Sequence, residues 1–208
     1  MFVRQNQQQF RNSNADVQIF YGTGAGSASG MSWSKPVGVS NVYMLCIGRG
    51  GNGDGATGGG SGAVTVWHGS AQHVPDFLDI SIATNTAVRV KLNLSAPTVL
   101  LLASGTSTTT GAAAMTANQF TASGFFQSVA GMNGNTGGGA QTTFLCGGDS
   151  ASGTTGNYGY VTAGDGIFQL QPIIVSVGGV QGKQGGIGSG GGYLSGVGGP
   201  GMVLIASW

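Results

Sequence analysis

Side chains able to do chemistry are few in this sequence, and their spacing assembles none of the familiar reactive arrangements. Gly53-Asp54-Gly55-Ala56-Thr57-Gly58 matches G-x-G-x-x-G, the turn that cradles a dinucleotide pyrophosphate, and residues 186–191 match it again. That turn acts by opening a helix whose N-terminus meets the phosphates. Here the continuation is GGSGAVTVW, which has the short, β-branched character of a strand. Gly182-Lys183 has the form of a phosphate-loop end. However, Val177 stands where the first glycine belongs, and Gln184 replaces the hydroxyl residue that holds magnesium. No nucleotide or other cofactor is expected.

His68, His73, Asp76 and Asp79 (HGSAQHVPDFLD) form the one group of metal-capable side chains. No helical spacing gathers them on one face and Pro75 interrupts them, so they read as solvated turn residues and no metal site is expected. The chain has six Asp and no Glu, which leaves Asp76 and Asp79 as the nearest carboxylate pair, a weak basis for hydrolysis. No Ser/His/Asp order stands out among the many serines. Cys46 and Cys146 lie in or beside apolar stretches (YMLCIG and TTFLCGG), which favours buried thiols over a disulfide. Asn93-Leu94-Ser95 fits a glycosylation acceptor, but it ends an expected strand, and residues 1–9 lack the apolar core of a signal peptide. No catalytic residue is nominated, and the chain is not expected to be an enzyme. The remaining candidates are Tyr158, Tyr160 and Tyr193, set in glycine-rich stretches. They either pack over bare backbone or stack on the sugar rings of a host-surface glycan.

The elements that must position these residues are β-strands. Asn41–Ile47 (NVYMLCI) is an almost unbroken apolar run, as a strand buried on both faces requires. Residues 86–94 (TAVRVKLNL) alternate, with Val88, Val90, Leu92 and Leu94 on one side and Arg89, Lys91 and Asn93 on the other. Further strands are expected at 63–67, 77–83, 98–103, 125–129, 142–146, 167–177 and 202–207. Helix is poorly supported; residues 111–119 hold at most a turn or two. Short strands with Gly, Ser, Thr and Asn between them predict an all-β fold, a β-sandwich or jelly-roll-like body with glycine-rich loops.

Of 208 residues, 43 are glycine, about three times the usual share. Several tracts repeat at three: Gly50, Gly53, Gly59 and Gly62 with Ala56 in the gap; Gly131, Gly134 and Gly137; and Gly179, Gly182, Gly185, Gly188 and Gly191. Three residues per turn is the polyproline II period. Five prolines are too few for collagen, so the spacing predicts either polyglycine II segments that pack through their backbones or plain turns and loops, with ordered packing favoured. Ordering so much glycine costs entropy, which only repeated backbone hydrogen bonding and close contact can offset.

Charge points the same way. Seven Lys and Arg and six Asp give a net charge of +1, and charged residues are only 6% of the chain. The basic residues are scattered, which argues against nucleic acid and against an anionic membrane surface. No apolar run reaches the length of a membrane helix. So neutral a surface favours association with neighbours. Residues 1–30 are set apart: FVRQNQQQFRNSNADVQIFY carries spaced apolar residues and GTGAGSASG reads as a linker. We therefore divide the chain into an N-terminal arm and linker, 1–30, and a glycine-rich β domain, 31–208. Phe2, Phe10, Ile19 and Phe20 are the candidate partner-docking residues of the arm. Residues 17–21 also suit an ordinary strand paired within the same domain.

One resemblance is carried by WSKPVGVSNVYMLCIGRGGNGDGATGGGSGAVTVW and by the closing GGYLSGVGGPGMVLIASW. An aromatic, a Pro-Gly-Val-Ser type turn, an apolar strand ending in Ile-Gly, a glycine tract and a further strand resemble the glycine-rich domains of tailed-phage virion proteins. The likeness spans about residue 33 to 208 and is weaker in the centre. It implies a virion component without catalytic residues, in a fibre, an appendage or the capsid exterior. The expected partners are other virion proteins and further copies of the chain, with a trimer favoured. The expected role is capsid decoration or a fibre component, and the alternative is a receptor- or glycan-binding tip. Arg49, Asn52 and Asp54 depart from the usual glycine tract.

Overall fold

A computed structural model describes residues 15–22, 28–90, 98–116, 124–134, 158–161 and 174–208. The expected strand at 142–146, residues 91–94 and 167–173 of two others, the acceptor at 93–95, residues 117–119, Gly137, Cys146, Phe2 and Phe10 lie outside these residues. The fold is all-β, as expected, with antiparallel sheets stacked in a sandwich-like arrangement. Eleven strands are described: β1 (Asp16–Tyr21), β2 (Ala28–Ser34), β3 (Asn41–Ile47), β4 (Val64–Ser70), β5 (Phe77–Ile82), β6 (Thr86–Val90), β7 (Thr98–Ala103), β8 (Gly124–Val129), β9 (Tyr158–Val161), β10 (Ile174–Val177) and β11 (Met202–Ser207). One sheet runs β1-β11-β3-β4-β8, a second β2-β5-β6-β7, and β9 pairs with β10.

The alternation of side chains explains the layering. Along β3, Val42, Met44 and Cys46 enter the core between the two large sheets, with Trp33, Trp67, Leu78, Ile80, Ile82, Leu101, Val203 and Ile205. Tyr43, Leu45 and Ile47 point the other way and join Val64, Val66, Met202, Leu204 and Ala206 in a second buried cluster, against which Ile187 and Trp208 pack. A strand buried on both faces needs an unbroken apolar run, and this is what β3 and β11 carry. A register shift between Val88 and Arg89, where β6 meets β7, lets the successive Leu100 and Leu101 both contribute to the core. Cys46 is a free, buried thiol, and burial in apolar surroundings pushes its pKa far up.

Two expectations at the N-terminal end change. Residues 28–30, read as linker, begin β2, which pairs with β5 across an irregularity between Ala28 and Met31. Residues 16–21 are an edge strand of the larger sheet, in continuous register with β11 from Asp16↔Ser207 to Tyr21↔Met202. The strand reading of 17–21 therefore holds for this segment.

The described glycine tracts collect at one end of the sandwich, where β3 ends and β4 and β11 begin. Their backbone hydrogen bonds recur every third residue. Gly48, Gly51 and Asp54 donate to Ala63, Gly60 and Thr57, closing residues 48–63 into an antiparallel pair. The next phase of the same stretch faces another segment: Gly50 and Gly53 donate to Gly199 and Gly196, and Gly59 and Gly62 to Gly191 and Gly188. Gly131 and Gly134 donate likewise to Ala112 and Thr109. Threefold segments have no internal hydrogen bonds, so each donor must find a neighbour. These neighbours lie so close that a Cβ on Gly50 would collide with the Ser189 carbonyl oxygen, and one on Gly59 with that of Gly51. The series 179–191 differs from expectation. It is folded back on itself, with Gly182 and Gly188 at φ of 64° and 68°, so these two glycines serve turns and not a continuous threefold run.

Candidate functional site

The glycine-packed end terminates in three turns that are tied together. Residues 54–57 form a bend in which the Asp54 carboxylate accepts hydrogen bonds from the Ala56 and Thr57 N–H groups, at 2.9 and 2.7 Å. These bonds hold the carboxyl below its ordinary range. The Asp54 carbonyl accepts the Leu194 N–H at 2.6 Å, and the Tyr193 carbonyl accepts the Gly182 N–H at 2.7 Å. The three turns, near residues 55, 181 and 194, are thereby fixed to one another by backbone.

Two residues in this tip break the local rule. Leu194 and Ser195 have φ of 56° and 67°, the left-handed region in which side chains other than those of Gly, Asn or Asp are strained. Both are exposed, as are the nearby Val180 and Val197. Glycine is used freely all around them and would remove the strain. Two non-glycine residues in this region, one with a half-exposed apolar side chain, make the tip a candidate contact.

The expected site residues fall in several places. Tyr193 sits in the tip, partly buried. Tyr158 and Tyr160 belong to strand β9, opposite Val177 and Val175, and not to a glycine-rich loop as expected. Ile19 and Phe20, in adjacent positions of β1, take opposite faces: Phe20 packs against the core between the sheets, whereas Ile19 points outward beside Val17 and Tyr21, all three about half exposed. His68, His73, Asp76 and Asp79 are dispersed. His68 stacks on Trp208 with ring centroids 5.7 Å apart. His73 ends a single 3-10 turn, Ala71–His73. Asp76 pairs with Lys35 at 2.9 Å, and Asp79 lies in β5 opposite Ser32 and Arg89. Among the described residues, no three His, Cys, Asp or Glu side chains come together as a metal set.

At the end of the sandwich away from the glycine bundle, a shallow cleft of about 470 Å³ lies between the β2–β3 turn and the start of β5. The Lys35 ammonium there is held by the Val74 and Ala71 carbonyls, at 2.7 and 3.1 Å, as well as by Asp76. Val37 and Phe77 stand exposed on its rim.

Sequence reading missed Leu194, Ser195 and the pair Arg49 and Asn52. The last two occupy the remaining phase of the threefold segment. Residues 48, 51 and 54 face one neighbour and 50 and 53 another, which leaves 49 and 52 free to carry side chains. The non-glycine residues at a spacing of three were the available signal. No protein-family model and no curated protein matches the chain.

Proposed function

We propose that the protein is a structural component of a virus particle's exterior, capsid decoration or a fibre or appendage subunit, which works by being packed against neighbours. The observation that carries this reading is the outward stripe of β1. Val17, Ile19 and Tyr21 extend the buried apolar face of Ala206, Leu204 and Met202 onto an edge strand, where they are left about half exposed. Soluble proteins usually guard such an edge with a charge, a Pro or a bulge; beyond Asp16 at its start, β1 has no charge, no Pro and no register shift. The low charge of the chain and its resemblance to tailed-phage glycine-rich domains support the same reading. The expected partners are other virion proteins and further copies of the chain, with a trimer favoured.

Two changes test it while sparing the sheet. A chain starting at Ala15 retains β1 and asks whether residues 1–14 are needed. Ile19→Lys places a charge in the stripe, with its ammonium free to reach solvent. Both are expected to fold with an unchanged circular dichroism spectrum and to join reconstituted particles at clearly reduced occupancy. Full occupancy of both variants would sink the docking role.

A second reading, a receptor- or glycan-binding tip, is favoured by the strained and exposed Leu194 and Ser195. Leu194→Gly relieves the left-handed strain and is expected to raise stability by about 1 kcal/mol. If the tip recognises a host surface, the same change reduces adsorption of particles to cells. Unchanged adsorption would leave packing as the sole role.

A further inference from the structure

We infer that Arg49 is the anchor of a carboxylate-binding site at the side of the glycine bundle, next to its hydrogen-bond partner Asn52. Arg49 keeps only 8% of its exposure. Its backbone is fully used, the N–H donating to Thr84 and the carbonyl accepting from Thr106. Its guanidinium is not. Of its five N–H donors, Nη2 donates to the Asn52 Oδ1 at 3.1 Å, its hydrogen bond among the described residues. The Nε is buried without an acceptor. Among the described residues the ion pair is Lys35–Asp76, and the Asp54 carboxylate is turned back on its own bend.

A buried guanidinium whose Nε lacks an acceptor is costly, and burial is repaid when a counter-charge arrives with matching hydrogen bonds. The missing partner can be specified. One positive charge calls for one negative charge. A planar carboxylate offers two oxygens to the guanidinium fork. A phosphate dianion would leave an uncompensated negative charge among backbone carbonyl oxygens. Asn52 marks the place. It is exposed, and its Oδ1 accepts from Arg49 Nη2 and also from the Gly198 N–H at 3.1 Å. With the Asn52 amide swung outward, a carboxylate takes over both donors and reaches the idle Nε. The site stands whether or not the chain belongs to a virion. Its carboxylate comes either from a free acid, such as a uronic acid sugar, or from a second copy of this chain.

The test uses the intact wild-type chain, labelled with 15N, with the Arg49 Nε–Hε signal assigned by triple-resonance spectroscopy. Sodium acetate, sodium glucuronate and sodium chloride are titrated separately. The Arg49 signal is expected to move saturably with the carboxylates and not with chloride. Asn52→Asp supplies a carboxylate from within the chain and is expected to weaken binding at least about tenfold. Movement with rising protein concentration alone, together with a rising sedimentation coefficient, assigns the carboxylate to a second copy. The inference is overturned if neither carboxylate nor protein concentration moves the signal, if chloride moves it equally, or if Asn52→Asp binds as the wild type does. The titration itself needs no variant to fold.

Discussion

Whether a glycine in this protein is replaceable depends on what lies beyond its missing side chain. Gly50 and Gly55 are five residues apart in one tract, yet their surroundings differ completely. A Cβ on Gly50 meets the Ser189 carbonyl, whereas one on Gly55 meets nothing within 4 Å. Gly50→Ala is expected to cost about 3 kcal/mol or more in denaturant unfolding, since the obstacle is hydrogen-bonded backbone that cannot yield locally. Gly55→Ala is expected to fall within about 0.5 kcal/mol of wild type. Equal effects at the two sites would mean that backbone contact does not hold the bundle together. Reading the sequence showed the period of three in this tract but not which of its phases touches a neighbour. For the same reason Arg49 and Asn52 appeared only as departures from glycine. Their meaning comes from residues far along the chain, Thr84, Thr106 and Gly198, which no local pattern announces.

Among the elements, the strands that carry their own burial were legible. Asn41–Ile47, Thr98–Ala103 and Met202–Ser207 were bounded correctly because a continuous apolar run is unambiguous in length and type. Ala28–Ser34 (ASGMSWS) is not among the expected strands, because the small polar residues before Met31 have linker composition and owe their strand to pairing with β5. The series 179–191 misled in the opposite direction: glycines spaced at three serve turns as well as threefold segments, and φ at Gly182 and Gly188 is the difference. The 54–57 bend gives an element-level test. The folded-state pKa of Asp54 is lowered from 3.8, first by the Ala56 N–H and then by the Thr57 N–H. A lowered carboxylate contributes stability above its unfolded pKa and loses it as pH falls through the folded value. Asp54→Ala is therefore expected to melt below wild type at pH 6, with the gap closing as pH falls below about 4. A gap that persists undiminished at pH 2 would mean the charged carboxylate is not what stabilises the bend.

On the scale of the whole molecule, stability comes from two sources with different chemistry: side chains packed between and outside the sheets, and backbone packed on backbone beyond their ends. Among the described residues charge adds little to either, the Asp54 carboxylate at its bend being one contribution. The described ion pair, Lys35–Asp76, joins a carboxylate that is 76% exposed, and such pairs contribute at most about 1 kcal/mol. The melting temperature is accordingly expected to shift by no more than roughly 2 °C between low and physiological salt. A larger shift would reveal an electrostatic contribution beyond the pair that the described residues display.

The pairing of β1 with β11 also decides how this molecule carries load. Asp16 lies opposite Ser207, so the two ends of the described fold leave from the same end of one antiparallel pair. The hydrogen bonds of such a pair run across the strands. Tension applied through residues 16 and 208 would open them one after another, like a zip, instead of shearing six residues' worth together. A chain pulled at both ends would yield first at β1. An assembly under mechanical stress would hold this protein best by pressing on its faces or covering its edge, leaving its two ends slack.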